Sequence, residues 1–254
     1  MFDENYFMKH LHLSCLALVS TLLVHGCVAT KNPEQSDHLL AIKGRRIVDE
    51  CAATKCSFLR LSQVGLADNA DLAKLAHVRG IGLNYTNFND LSLLSQMSWL
   101  ERLSIGGSEV RDLSAIRALQ NLKELDISSL TIDDYSALTA LTKLEKLEID
   151  HHQSGAIAAV KQLRHLRELK ITNYTTGTKE VDLTPVANHP SLESIVLWEL
   201  YPQSFAPLFT APKLKEIRLI DAVGHGREAE VEKLIAKGID VIDGVTENIP
   251  AIMP

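Results

Sequence analysis

Residues 100–121 read "LERLSIGGSEVRDLSAIRALQN", residues 122–143 read "LKELDISSLTIDDYSALTALTK", and residues 144–165 read "LEKLEIDHHQSGAIAAVKQLRH". Aligned on their first leucine, the three stretches share apolar residues at positions 1, 4 and 6 of a 22-residue period. The frame extends in both directions, with starts at Cys56, Val78, Leu100, Leu122, Leu144, Leu166, Leu192 and Leu214. Four additional residues fall inside the unit that begins at Leu166. Self-similarity at a fixed period of this length is the mark of a solenoid, whose units each stack only on their neighbours.

Within a unit, the alternation at positions 4 and 6 (Leu103 and Ile105, Leu125 and Ile127, Leu147 and Ile149, Leu169 and Ile171, Ile195 and Leu197, Ile217 and Leu219) predicts a half-buried strand. Position 13 is aspartate at Asp68, Asp90, Asp112, Asp134 and, past the insertion, Asp182. A carboxylate there suits the N-cap of a following helix, and apolar residues at positions 14, 17 and 20 supply its inward stripe. Each unit is therefore expected to be strand, turn and short helix. One such unit cannot bury enough apolar surface to offset the entropy of ordering it, so stability must come from stacking and from caps at both ends. Residues 27–55, helical from about Asp37, would close the start. Residues 222–254 would close the other end, with Val231, Leu234 and Ile235 on one helical face, Gly238 as a stop and a last strand in "IDVID".

Over residues 56–221 this pattern resembles bacterial leucine-rich repeats of the internalin-like type, L-x-x-L-x-L-x-x-N-x-I-x-D-I-x-x-L-x-x-L. The resemblance implies an α/β solenoid of eight units, with a concave parallel β-sheet and short convex helices. One departure stands out. Where the family buries an asparagine at position 9, this chain has Val64, Thr86, Ser108, Leu130, His152, Tyr174, Leu200 and Ala222. His152 is accordingly expected to turn inward and bond to the turn backbone, leaving His151 to face out. Neighbours pointing in opposite directions make a poor metal pair.

In such a sheet, positions 3, 5 and 7 face the concave side. Gly80, Gly82, Ser104 and Gly106 make a zone with little side chain above the backbone, open either to a closely approaching molecule or simply to solvent. Arg102, Glu124, Lys146 and Glu168 form a ladder of alternating charge that can pair with itself. Asp126, Glu148 and Asp150 form an acidic cluster, and Val196, Trp198 and Ile220 an apolar one. These six are the candidate partner-binding residues, tryptophan being the type most enriched at binding hot spots. The insertion in "NYTTGTKEV" (173–181) lies at the rim near Trp198.

The beginning of the chain reads as a processing segment (1–26). "MKHLHLSCLALVSTLLVHGC" has a weakly basic start at Met8, an apolar run from Leu13 to Val24 and a small residue before Cys27. The acidic, aromatic "MFDENYF" ahead of it suits no signal peptide, which makes Met8 a candidate true start. "LVHGC" resembles a bacterial lipobox, implying lipidation of Cys27 and, with Val28 following, an outer-membrane lipoprotein. "CVA" at 27–29 equally fits ordinary cleavage. Cys51 and Cys56 remain as a close pair suited to a disulfide in an oxidising compartment, provided that no uninterrupted helix holds them apart.

With 46% hydrophobic residues and net charge −6, the 254-residue chain has material for a continuous core and no basic field for nucleic acid. It contains no nucleophile elbow, P-loop or HExxH, and the repeats take up nearly all of its length. The expectation is a non-enzymatic, exported and lipid-anchored protein of the cell envelope. It would bind another protein through its concave face, with no cofactor, metal, nucleic acid or small-molecule substrate. A periplasmic immunity-type lipoprotein and a structural envelope component are the alternatives.

Overall fold

A computed structural model describes residues 33–64, 72, 74–174, 179–221 and 226–244. The leader, Cys27, Asp68, residues 175–178 and Ala222 lie outside the described residues. Pro33–Pro254 forms one compact unit.

Each apolar 4/6 pair becomes a strand one unit along from the last. Phe58–Arg60 (β1), Gly80–Gly82 (β2), Arg102–Ser104 (β3), Glu124–Asp126 (β4), Lys146–Asp150 (β5), Glu168–Thr172 (β6), Ser194–Trp198 (β8) and Glu216–Ile220 (β10) line up side by side in parallel. Asp240–Gly244 (β11) adds a ninth strand, so the sheet order is β1-β2-β3-β4-β5-β6-β8-β10-β11. The register is in phase with the repeat: Leu103 pairs with Leu125, Leu125 with Leu147, and Leu147 with Leu169. Stacked leucines and isoleucines from positions 1, 4 and 6, nearly all fully buried, make a core that runs the length of the solenoid. The architecture is the leucine-rich repeat solenoid that the period implies.

The convex side departs from expectation. Most units carry a 3-10 turn there, such as Leu91–Gln96, Ser114–Ala118, Ser136–Ala140 and Ala206–Thr210. The aspartates still act as caps: Asp90, Asp112, Asp134 and Asp182 each accept the backbone N–H two residues on, at 2.7–2.8 Å. These segments are only five or six residues long, and i→i+3 bonding, with its greater rise per residue, spans the convex side in fewer residues than an α-helix would need. The unit from Leu144 differs. Its position 13 is Ala156, and the alanine-rich Ser154–Ala159 forms a true α-helix (α2).

The ends are closed by helices. Pro33–Thr54 (α1) packs Gly44, Val48 and Cys51 against the first strands. It stops at Thr54, and Lys55 takes a left-handed conformation (φ 56°) that turns the chain back. That reversal brings Cys51 and Cys56 to a Cα separation of 4.9 Å, and their sulfurs are joined in a disulfide. Glu228–Ala236 (α3) covers the other end, with Leu234 buried. Ile235, expected on the inner face, is instead exposed, because α3 turns only its Val231–Leu234 edge toward the core. Two short strands, Glu180–Val181 (β7) and Tyr201–Pro202 (β9), pair in parallel beside the main sheet.

Candidate functional site

The concave face is built from the side chains at positions 3, 5 and 7, held about 4.8 Å apart by strand pairing. Its first zone is not bare. Phe58 on β1 lays its ring over Gly80 and Gly82, so close that a Cβ on Gly80 would come within 2.4 Å of Phe58 Cδ2. Arg102 stacks on the same ring at 4.8 Å and Arg60 at 5.9 Å. The glycines make room for a side chain of this protein, and the expected open approach to the backbone is filled.

The acidic cluster forms a row across β4 and β5, and its members are buried. Asp126 accepts from Asn84 Nδ2 (2.7 Å), Ser104 Oγ (2.6 Å), Ser128 Oγ (2.7 Å) and the Ser128 amide (3.0 Å). Gly106 lies against this network, where a Cβ would meet Ser128 Oγ at 2.7 Å. Glu148 pairs with Lys170 Nζ at 2.8 Å. Burial pushes the Glu148 carboxyl up to about 7, with neighbouring Asp126 adding to the shift and Lys170 opposing it. Asp150, 1% exposed, accepts from Thr172 Oγ at 2.6 Å and from the Ser129 amide. The expectation that Asp126, Glu148 and Asp150 stand open is therefore corrected. Adjacent strands bring their neighbours over them, and their lone pairs serve the turns and the sheet.

The apolar zone is reshaped in the same way. Val196 and Ile220 are 4% and 3% exposed, while Trp198 between them is partly open. Lys170 sits 5.1 Å from the Trp198 ring centroid, so one ammonium links the tryptophan to Glu148. The repeat columns conceal three further residues of this region. Ile242, on the added strand β11, is 46% exposed and lies in register with Arg218 on the concave side. Tyr174, at the rim, is 48% exposed; its phenol is shifted upward by burial first and then by Glu148, Tyr85, Asp126 and Asp150. Tyr85 stands on the same rim at 49%. The clue to Ile242 was the step from Leu214 to Gly238, which continues the period with two extra residues.

The turns after the strands resolve the position-9 question. The residue at position 8 is left-handed in six units, at Gln63, Tyr85, Gly107, Ser129, Glu199 and Asp221, with φ between 51° and 65°. His151 and Asn173 do not follow. In the unit with His151, the residue that turns inward is Gln153, one place beyond His152. Its side chain accepts from the Asp150 amide (3.0 Å) and donates to the carbonyls of Ile127 (2.8 Å) and Leu130 (3.0 Å). The His152 ring is about half exposed, 4.0 Å from Asp150, and the part-buried His151 meets it edge to face with centroids 5.6 Å apart. The expected orientations of the two histidines are thus reversed, because Gln153 offers both an acceptor and donors where histidine offers one of each. Elsewhere Thr86 fills the slot, donating to Leu83 O and accepting from the Phe88 amide, while Leu130 and Leu200 fill it with apolar bulk.

No family model and no curated relative matches the sequence. Solved structures do. An internalin C2 from Listeria monocytogenes is 23% identical over 80% of this chain and 92% of its own, with a TM-score of 0.59. An internalin from the same organism is 22% identical over 82% of this chain and 63% of its own, at 0.57. Toll from Drosophila, solved in complex with Spatzle, is 13% identical over 72% of this chain and 29% of its own, at 0.50. At these identities the likeness is one of fold, and the fold is that of a leucine-rich repeat protein.

Proposed function

We propose that this chain is an exported, non-enzymatic leucine-rich repeat protein, anchored to the outer membrane through Cys27, that binds another protein on the C-terminal half of its concave face. The observation that carries the reading is partly exposed Trp198 and Tyr174 beside the Lys170–Glu148 pair, with exposed Ile242 three strands on from Lys170 along the same face. Aromatic and apolar anchors beside a desolvated ion pair are the composition of a binding hot spot, whereas a purely solvated sheet face has no use for them. Structures of similar fold include Toll, solved in complex with Spatzle, which supports the use of the solenoid for binding a partner here.

A photo-crosslinking amino acid placed at Tyr174 or Ile242 in native cells tests this reading. Adducts with one protein species are expected, and they should disappear when Trp198→Ala is added. A crosslinker at exposed Lys161 on the convex side should give none. Equal yields from the two faces, or adducts indifferent to Trp198→Ala, would remove the concave face from the proposal.

A further inference from the structure

The outward face of α1 is the surface with the least structural reason for its composition. Leu39, Ile42, Lys43 and Arg46 fall at i, i+3, i+4 and i+7 and are all exposed, opposite the buried Gly44, Val48 and Cys51. Leu39 and Ile42 are each 51% exposed on a helix whose other side already contacts the core. In a chain of net charge −6, residues 38–46 contain Lys43, Arg45 and Arg46 and no acidic residue. The acidic Asp49 and Glu50 come a turn later, where Asp49 pairs with Lys74 at 3.4 Å. Two apolar and two basic side chains share this exposed face, which gives it both apolar area to bury at the headgroup boundary and positive charge to meet anionic lipid.

We infer that this face of α1 rests on the anionic lipid surface beside the anchor, so that the solenoid stands on the membrane by its N-terminal end. The inference depends on the reading of Cys27 as the anchored residue. Five residues, 28–32, separate Cys27 from Pro33, and fully extended they span about 20 Å. A tether that short keeps the first turns of α1 within reach of the headgroups at all times. Tethering removes most of the cost of association, so two side chains suffice where a free helix would need more. Glu34 and Asp37 precede the stripe, which places the gain on Leu39 and Ile42 and leaves Lys43 and Arg46 to complement phosphate. The concave face would then be held at a set angle to the bilayer.

The test uses the chain from residue 27 onward, coupled through the Cys27 thiol to maleimide lipid in phosphatidylethanolamine–phosphatidylglycerol vesicles. Ile42→Trp reports burial through quenching by brominated lipid, measured above the baseline of Trp99 and Trp198. Ile235→Trp, at the other end of the solenoid, is the control. At least twofold stronger quenching at position 42 is expected, falling to baseline when Leu39→Ser, Lys43→Gln and Arg46→Gln are added. The thermal melt of that variant should stay unchanged, because all three side chains are exposed. Equal quenching at the two positions, or quenching that survives the triple substitution, would overturn the inference. The anchor is judged separately, by the mass of the N-terminal peptide from native cells. Chemical coupling makes the vesicle result independent of whether the cell acylates Cys27.

Discussion

Glu148 sets the pH behaviour of the concave face. Its folded-state carboxyl lies near 7 while an unfolded glutamate titrates near 4.5. Stability from this group is therefore full below pH 4.5 and is lost as pH rises to about 7, because the buried site holds a proton that the unfolded chain releases. In Glu148→Gln that loss should vanish, so the variant's melting temperature should climb steadily relative to that of the wild type between pH 4.5 and 7. A constant difference would show that the site is wetter than it looks. His189 tilts the other way. It is buried, Nδ1 accepts from the Leu192 amide at 3.1 Å and Nε2 faces Leu163 O at 3.1 Å, and burial lowers its pKa. Stability from His189 is lost as pH falls below about 6.5, when the unfolded imidazole takes up a proton that the folded one refuses. Gln153→Ala should cost roughly 2–3 kcal/mol in denaturant melts, since it strands a buried amide and two buried carbonyls at once. His152→Ala, half exposed, should cost little. Reversed magnitudes would restore His152 to the inward slot.

At the scale of elements, the strands were legible because a period-2 alternation repeated eight times leaves one consistent register, which Leu103, Leu125, Leu147 and Leu169 obey. The convex segments were legible as capped turns, through Asp90, Asp112, Asp134 and Asp182, but not as 3-10 turns. The same polar cap and apolar stripe serve either helix type, and only the tightness of the connection decides between them. The candidate site was less legible. A column of side chains at strand spacing shields its own middle members, so Asp150, Val196 and Ile220 carry the residue types of an open face and are nonetheless covered. Which of the three polar residues in "HHQ" turns inward depends on where α2 begins, which the repeat does not specify. The disulfide closing α1 onto β1 links residues five apart. A loop that short stabilises by about 2 kcal/mol in the chain-entropy account. Reductant, or Cys51→Ser with Cys56→Ser, should lower the melting temperature accordingly and speed amide exchange in α1 and β1 before the central strands. Uniform acceleration along the chain would show that the cap is not a separate unit of stability.

At the scale of the whole molecule, a solenoid is a row of nearest-neighbour contacts, and it unfolds as one body only if every contact is comparably strong. Along most of the turn row, the position-8 amide donates to the position-7 carbonyl of the next unit: Gln63 to Asn84, Tyr85 to Gly106, Gly107 to Ser128, His151 to Thr172, Asn173 to Trp198, Glu199 to Ile220 and Asp221 to Gly244. At Ser129 the acceptor is the Asp150 carboxylate, which also receives the Thr172 hydroxyl. One side chain thus spans three consecutive units at the point where the left-handed turns give way. Asp150 acts as a weld between an N-terminal and a C-terminal block. Asp150→Ala should split a single calorimetric transition into two, while Asp150→Asn, which can still accept from Ser129, should keep it single. One cooperative peak in both variants would mean that the stacked leucines alone carry the coupling. If the peak does split, the acidic residue that first suggests a ligand on this face is what makes a nine-stranded row melt as a single object.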